Sequence, residues 1–94
     1  MEIFVFDSIR VDWNLITQRP AVMHVRLYYL DNLVADTRLD KKRPTMPFSV
    51  TGEGGNVARG ELGVTVQPHE ITLWGNIYTR QEHFNGVIAE YPLS

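Results

Sequence analysis

Apolar and polar residues alternate along nearly the whole length of this 94-residue chain. In the first long segment the apolar positions are Ile9, Val11, Trp13 and Leu15, and the residues between them are polar. A period of two places successive side chains on opposite faces of a β-strand, whereas a helix needs apolar residues three or four positions apart. The pattern therefore predicts an all-β protein.

Turn residues divide the alternating segments into about eight strands, which is typical of an antiparallel β-sandwich. We expect a single domain over residues 1–94 with Greek-key or jelly-roll-like connections. The run from Ile3 to Phe6 is either the beginning of the first long strand or a separate short strand broken at Asp7-Ser8. The segment from Asp40 to Pro47 is predicted to be a long crossover loop.

Alternation also predicts the register of two hairpins, because directly opposed residues of paired antiparallel strands share a face. At the first hairpin we expect a three-residue loop, Leu30-Asp31-Asn32, with Asn32 left-handed, since a two-residue Asp31-Asn32 loop would set apolar residues against charged ones. The pairs predicted by this loop are Leu27 with Ala35, Val25 with Thr37, Met23 with Leu39, and Arg26 with Asp36.

Three signals describe the second half of the chain. A turn at Pro68-His69 sets apolar residues against apolar or small ones, the pairs being Val66 with Ile71, Val64 with Leu73, and Gly63 with Trp74. A straight strand through Gly75-Asn76 keeps the alternation, whereas a turn there would mix apolar and polar residues on both faces. Asn85-Gly86 predicts a further hairpin, because Asn-Gly is a strong two-residue turn signal.

Composition and charge restrict the class of protein. The chain has no cysteine, so disulfides, thiolate metal sites and cysteine nucleophiles are excluded. Nine basic and eleven acidic side chains give a net charge of −2, which argues against general binding to nucleic acid or to anionic membranes. The first residues lack the basic and long apolar regions of a signal peptide, so we expect a cytoplasmic protein or a piece of one.

The glycine-rich stretch from Ser49 to Glu61 raises the question of a phosphate-binding loop. Such loops need glycines at fixed offsets followed by a helix. Val57 stands where the dinucleotide fingerprint requires its last glycine, and alternation resumes after Gly60. The stretch is therefore interpreted as a connection between strands.

Two histidines stand beside glutamates, at His69-Glu70 and at Glu82-His83. A straight strand between them would hold the two pairs about 30 Å apart. We therefore predict no metal site and no cofactor.

One polar strand face combines a histidine with residues of both charges. Its members are His24, Arg26 and Tyr28, with Asp36 and Arg38 across from them in the predicted register. One interpretation is a functional site, which would bind an anionic ligand or support acid–base chemistry. The other is a ladder of opposite charges that stabilises the sheet. We predict no catalytic residues, because none of the serines has the sequence context of a nucleophile.

Two further groups are candidate binding residues. Lys41, Lys42 and Arg43 form the one basic run, either a solvated loop or a contact for an anion or an acidic partner. Trp74, Asn76 and Tyr78 share a strand face, which either stacks on sugar rings, forms a protein interface or belongs to the core. Trp13 is predicted to be core.

These patterns favour a non-enzymatic binding or assembly module that acts through a sheet face or edge as a homo-oligomer. The first alternative is a carbohydrate-binding protein that uses the aromatic face. The second is a small enzyme built around His24 and Arg26.

Overall fold

Eight β-strands and no helix make up the computed structural model, which describes all 94 residues. The strands are β1 (Glu2–Phe6), β2 (Ile9–Gln18), β3 (Ala21–Tyr29), β4 (Asn32–Leu39), β5 (Thr45–Gly52), β6 (Gly55–Gln67), β7 (Glu70–Thr79) and β8 (His83–Pro92). They form two antiparallel four-stranded sheets that pack together. The predicted eight-stranded antiparallel sandwich is thus confirmed. The structure contains no helix that could span a membrane.

Strand order within each sheet follows the sequence, β1-β2-β3-β4 in one and β5-β6-β7-β8 in the other. The expected Greek-key or jelly-roll connections are wrong, because tight turns join successive strands and none of them can skip a neighbour. Asp40–Pro44 is the only connection between the sheets, so the predicted crossover ends before Thr45. Pro47 lies within the edge strand β5, where a missing N–H is tolerated.

The core lies between the two sheets and is built from the alternating apolar positions of both. Trp13 is only 6% exposed, which confirms its predicted core position. Its Nε1–H donates a hydrogen bond of 2.8 Å to the hydroxyl of Tyr91 in β8, so the two sheets are also joined by a polar contact. No buried side-chain polar atom lacks a partner.

The β3–β4 pairing has the predicted register, although the turn that produces it differs. Leu30 and Asp31 have positive φ angles of 47° and 65°, and Asn32 already pairs with Tyr29. The loop therefore has two residues, and the prediction of a left-handed Asn32 is wrong. A bulge at Val34 restores the register, since one extra residue in a strand shifts the pairing beyond it.

The β6–β7 register and the straight β7 strand are both confirmed. The predicted Asn85-Gly86 hairpin is wrong, because β8 runs straight through these residues and pairs them with Asn76 and Gly75. The chain reverses earlier, where the Thr79 hydroxyl accepts hydrogen bonds from the backbone N–H groups of Gln81 and Glu82.

The strand order decides which strands lie at the edges of the sheets. β6, which includes the weakly charged segment from Val57 to Val66, is paired on both sides, with β5 and β7. The four edge strands are β1, β4, β5 and β8.

Candidate functional site

The predicted site residues occupy the two outer faces of the sandwich. His24, Arg26 and Asp36 lie on the outer face of the β1–β4 sheet. Trp74 and Tyr78 lie on the outer face of the β5–β8 sheet, because their neighbours Leu73 and Ile77 are buried. The two sheets and the core between them separate the two groups of residues, so the groups cannot form one site.

The β1–β4 face is a ladder of paired charges. His24 Nε2–H donates to Asp36 Oδ1 at 2.5 Å, and the Arg26 Nε atom lies 3.6 Å from Asp36 Oδ2. The hydrogen bond from His24, helped by the charges of His24 and Arg26, holds the pKa of the Asp36 carboxyl below its usual value. Further along the same face, Arg10 pairs with Glu2 at 3.2 Å.

These contacts favour the interpretation as a stabilising ladder over an acid–base site. Both carboxylate oxygens of Asp36 already have partners, His24 on one and Arg26 on the other. None of the three serines lies beside His24, because Ser8 is in a turn, Ser49 is in β5 of the other sheet and Ser94 is the last residue. Arg38 lies opposite His24 but forms no ion pair.

Exposed apolar side chains on this face are interrupted rather than continuous. Phe4 and Leu33 are 59% and 53% exposed, and both lie on one row that crosses the sheet. Between them stand Arg10 and Tyr28, with the guanidinium carbon 4.0 Å from the ring centroid. The stacked pair divides the row into two small patches.

The β5–β8 face is organised around Trp74, which is half-buried and lies outside the core. Its indole lies over Gly63: a Cβ atom added to that glycine would come within 2.2 Å of Trp74 Cζ2. The alternative in which Trp74 is core is therefore wrong. Val87, directly opposite Trp74 on β8, is 55% exposed.

Tyr78 is held between its neighbours. The ring of His83, from β8, stacks on it with centroids 4.0 Å apart, and the guanidinium of Arg59, from β6, lies 4.5 Å from its centroid. Because β6 and β8 flank β7, these contacts cover opposite faces of the Tyr78 ring. His83 Nε2–H also donates to Asn76 Oδ1 at 2.7 Å.

Arg59 and His83 are the members of this group that sequence reasoning missed. Arg59 lies in the glycine-rich stretch from Ser49 to Glu61, which the sequence indicates only as a connection, yet it alternates in phase with Gly63 on the outer face of β6. His83 was hidden by the expected turn at Asn85-Gly86, which would have removed it from the strand beside β7.

The basic run lies apart from both faces, in the connection between the sheets. Lys41, Lys42 and Arg43 are exposed and form no ion pairs. Asp40 Oδ1 accepts the backbone N–H groups of Lys42 and Arg43 at 2.9 and 2.8 Å, which shapes the loop. This geometry is typical of a solvated, side-chain-stabilised turn.

The histidines are dispersed. His69 lies in the turn before β7 and His83 begins β8, so they stand at opposite ends of β7. No group of three or more histidine or carboxylate side chains is arranged to hold a metal ion.

The chain matches no protein-family model, no curated protein and no solved structure. Its function is therefore argued from the two outer faces and the four sheet edges.

Proposed function

We propose that this protein is a non-enzymatic binding and assembly module that acts through its β5–β8 sheet and works as a homo-oligomer. The observation that carries the proposal is the position of Trp74, whose indole lies over Gly63 on an uncovered face beside the exposed Val87. Rigid aromatic surfaces of this kind are enriched at the centres of protein interfaces.

The contrast between the two outer faces supports the choice of sheet. All five ion pairs lie on the β1–β4 sheet or at its N-terminal residue, and none lies on the β5–β8 sheet. A partner that covers paired charges must desolvate them, which costs free energy. Covering an aromatic face removes apolar surface from water, which is favourable.

Size exclusion with light scattering, from low to high micromolar concentration, tests the proposal. The wild type should be oligomeric, and the double variant Trp74→Ala, Tyr78→Ala should associate more weakly while it remains folded. Tyr28→Ala removes an aromatic ring from the opposite outer face and should leave association unchanged. A wild type that is monomeric at high micromolar concentration, or a double variant that unfolds, would contradict the proposal.

Carbohydrate binding is the second candidate, favoured by the flat indole with the Asn76 amide on the same face. Trp74 is the ring available for stacking, because both faces of Tyr78 are covered. Oligosaccharide titration should then change the tryptophan fluorescence, and the Trp74→Phe variant should lose this response while the buried Trp13 still emits. No response from any sugar class would exclude this candidate. An enzyme around His24 and Arg26 gains no comparable support.

A cytoplasmic location is part of the proposal. The core is held by packing and contains no disulfide, as suits a reducing compartment. Cell fractionation with an antibody to the protein tests the location.

A further inference from the structure

We propose that a second copy of this chain pairs antiparallel with the free edge of β8, about a two-fold axis at Asn85. Two β5–β8 sheets then become one continuous eight-stranded sheet. This inference rests on the proposed assembly function, and it names the partner and the contact.

β8 carries its protective features, a bulge at Ile88, Glu90 and Pro92, only in its C-terminal half. β1 has five residues and a bulge, β4 carries Asp36 and Arg38 as well as a bulge, and β5 contains Pro47. Short length, charges, bulges and proline are the features that prevent edge strands from pairing with other chains. The segment His83–Val87 has no charged residue, no proline and no bulge.

The backbone of this segment presents unpaired groups to solvent. The N–H of Thr79 donates to the carbonyl of Glu82, which makes this the first hydrogen-bonded pair of the β7–β8 hairpin. Hydrogen-bonded and non-hydrogen-bonded pairs alternate along antiparallel strands. The N–H and C=O groups of His83, Asn85 and Val87 therefore face away from β7, toward the free edge.

A second copy fits this edge because the segment is complementary to itself. An axis at Asn85 sets each Asn85 against the other, His83 against Val87, and Phe84 against Gly86. Phe84 is large and Gly86 has no side chain, so their shapes match, and no like charges meet. A foreign strand would need the same complementarity by coincidence.

The outer face gains a continuous apolar row across the junction. Val87 lies beside Trp74 in its own chain, and in the pair it meets His83 of the second copy. One face of that imidazole stacks on Tyr78 in its own chain, so the other face is free to cover Val87. The exposed Val87 side chain would then be packed between Trp74 and His83, which removes its apolar surface from water.

Engineered cysteines test the register directly, because the native chain has none and any disulfide must join two copies. Asn85→Cys alone should form a disulfide-linked dimer under mild oxidation. His83→Cys mixed with Val87→Cys should form a heterodimer. Neither the His83→Cys nor the Val87→Cys variant should form a disulfide-linked homodimer by itself. The two like residues would be about 13 Å apart along the strand, beyond the roughly 7 Å limit between the Cα atoms of a disulfide.

Ser49→Cys, on the other edge strand of the same sheet, is the control and should remain unlinked. Equal cross-linking at Ser49→Cys and Asn85→Cys, or self-linking of the His83→Cys variant, would overturn the inferred pairing.

Charge repulsion gives an independent test. Asn85→Lys sets two ammonium groups against each other at the axis and should weaken dimerisation by about tenfold. Asn85→Thr should keep it, and both variants should melt like the wild type in dilute solution because Asn85 is exposed.

The outcomes separate this inference from the proposed function. An oligomer that survives Asn85→Lys and does not cross-link through Asn85→Cys would overturn the β8 pairing and leave the assembly function in place. A wild type that stays monomeric at high micromolar concentration would overturn both.

Discussion

Gly63 is the residue whose lack of a side chain decides the position of Trp74. A Cβ atom at this position would approach Trp74 Cζ2 to 2.2 Å, so Gly63→Ala must displace the indole or the strand. Forced shifts of this kind cost about 1–3 kcal/mol. We expect urea unfolding of Gly63→Ala to show a loss of that size.

Gly86→Ala is the matched control, because the added Cβ would meet only Phe84 Cζ, at the ordinary contact distance of 3.8 Å. It should change the free energy of unfolding by less than about 0.5 kcal/mol. Removing the indole should also relieve the clash, so Gly63→Ala should cost less in a Trp74→Ala background. Equal costs in both backgrounds would show that the indole does not lie over Gly63.

Asp36 makes stability depend on pH at the acid end. Its pKa is lowered in the folded state, first by the hydrogen bond from His24 and then by the nearby charges of His24 and Arg26. The unfolded carboxyl, with an ordinary pKa of about 3.9, therefore binds a proton before the folded one as the pH falls. The stabilisation by Asp36 is fully present above that value and is lost as the pH falls through the folded pKa.

Asp36→Asn should accordingly destabilise the protein at pH 7, and the difference from the wild type should shrink in acid, as measured by urea unfolding across the pH range. Asp31→Asn is the control, because Asp31 forms no ion pair and asparagine tolerates its positive φ. A difference between Asp36→Asn and wild type that is the same at every pH would contradict the assignment.

At the scale of the strand, the β7–β8 turn depends on one hydroxyl. Thr79 Oγ1 lies 3.3 and 3.0 Å from the backbone nitrogens of Gln81 and Glu82. Thr79→Val keeps the shape and removes the acceptor, which should cost about 1 kcal/mol. Thr79→Ser keeps the hydroxyl and should cost less. Chemical unfolding measures both, and a Val variant as stable as the Ser variant would assign the turn to another cause.

This turn explains why a strong local signal failed. Asn-Gly favours a two-residue hairpin by its tolerance of positive φ, but Gly86 does not adopt positive φ here. The side-chain-stabilised turn at Thr79 precedes it along the chain and pairs Asn85 with Asn76. Once β8 is aligned with β7, a turn at Asn85-Gly86 would break the ladder on both sides of it.

At the scale of the whole molecule, one shared apolar core holds the two sheets together, and we expect no contribution to stability from a bound ion. Zinc or a chelator should leave the melting temperature of the protein nearly unchanged, because a structural metal contributes its binding free energy to folding. Differential scanning fluorimetry with and without each addition measures this. A large shift in either direction would restore a metal site at His69 or His83.

The sequence by itself determined the fold class, the core face of each long strand and the register of two hairpins. Each follows from the alternation of apolar and polar side chains, since a shift by one residue would move every apolar group of a strand into water. Gly63 opposite Trp74 and the course of β7 follow from the same argument.

Only the tertiary structure decided the strand order, the bulge at Val34 and the free edge at β8. It also decided that Trp74 lies on an uncovered outer face and that Arg59 and His83 enclose Tyr78. Alternation states which side chains share a face of one strand. Which strands are neighbours, and whether an outer face is covered as well, depend on packing between segments far apart in the chain, and the local pattern is the same for either outcome.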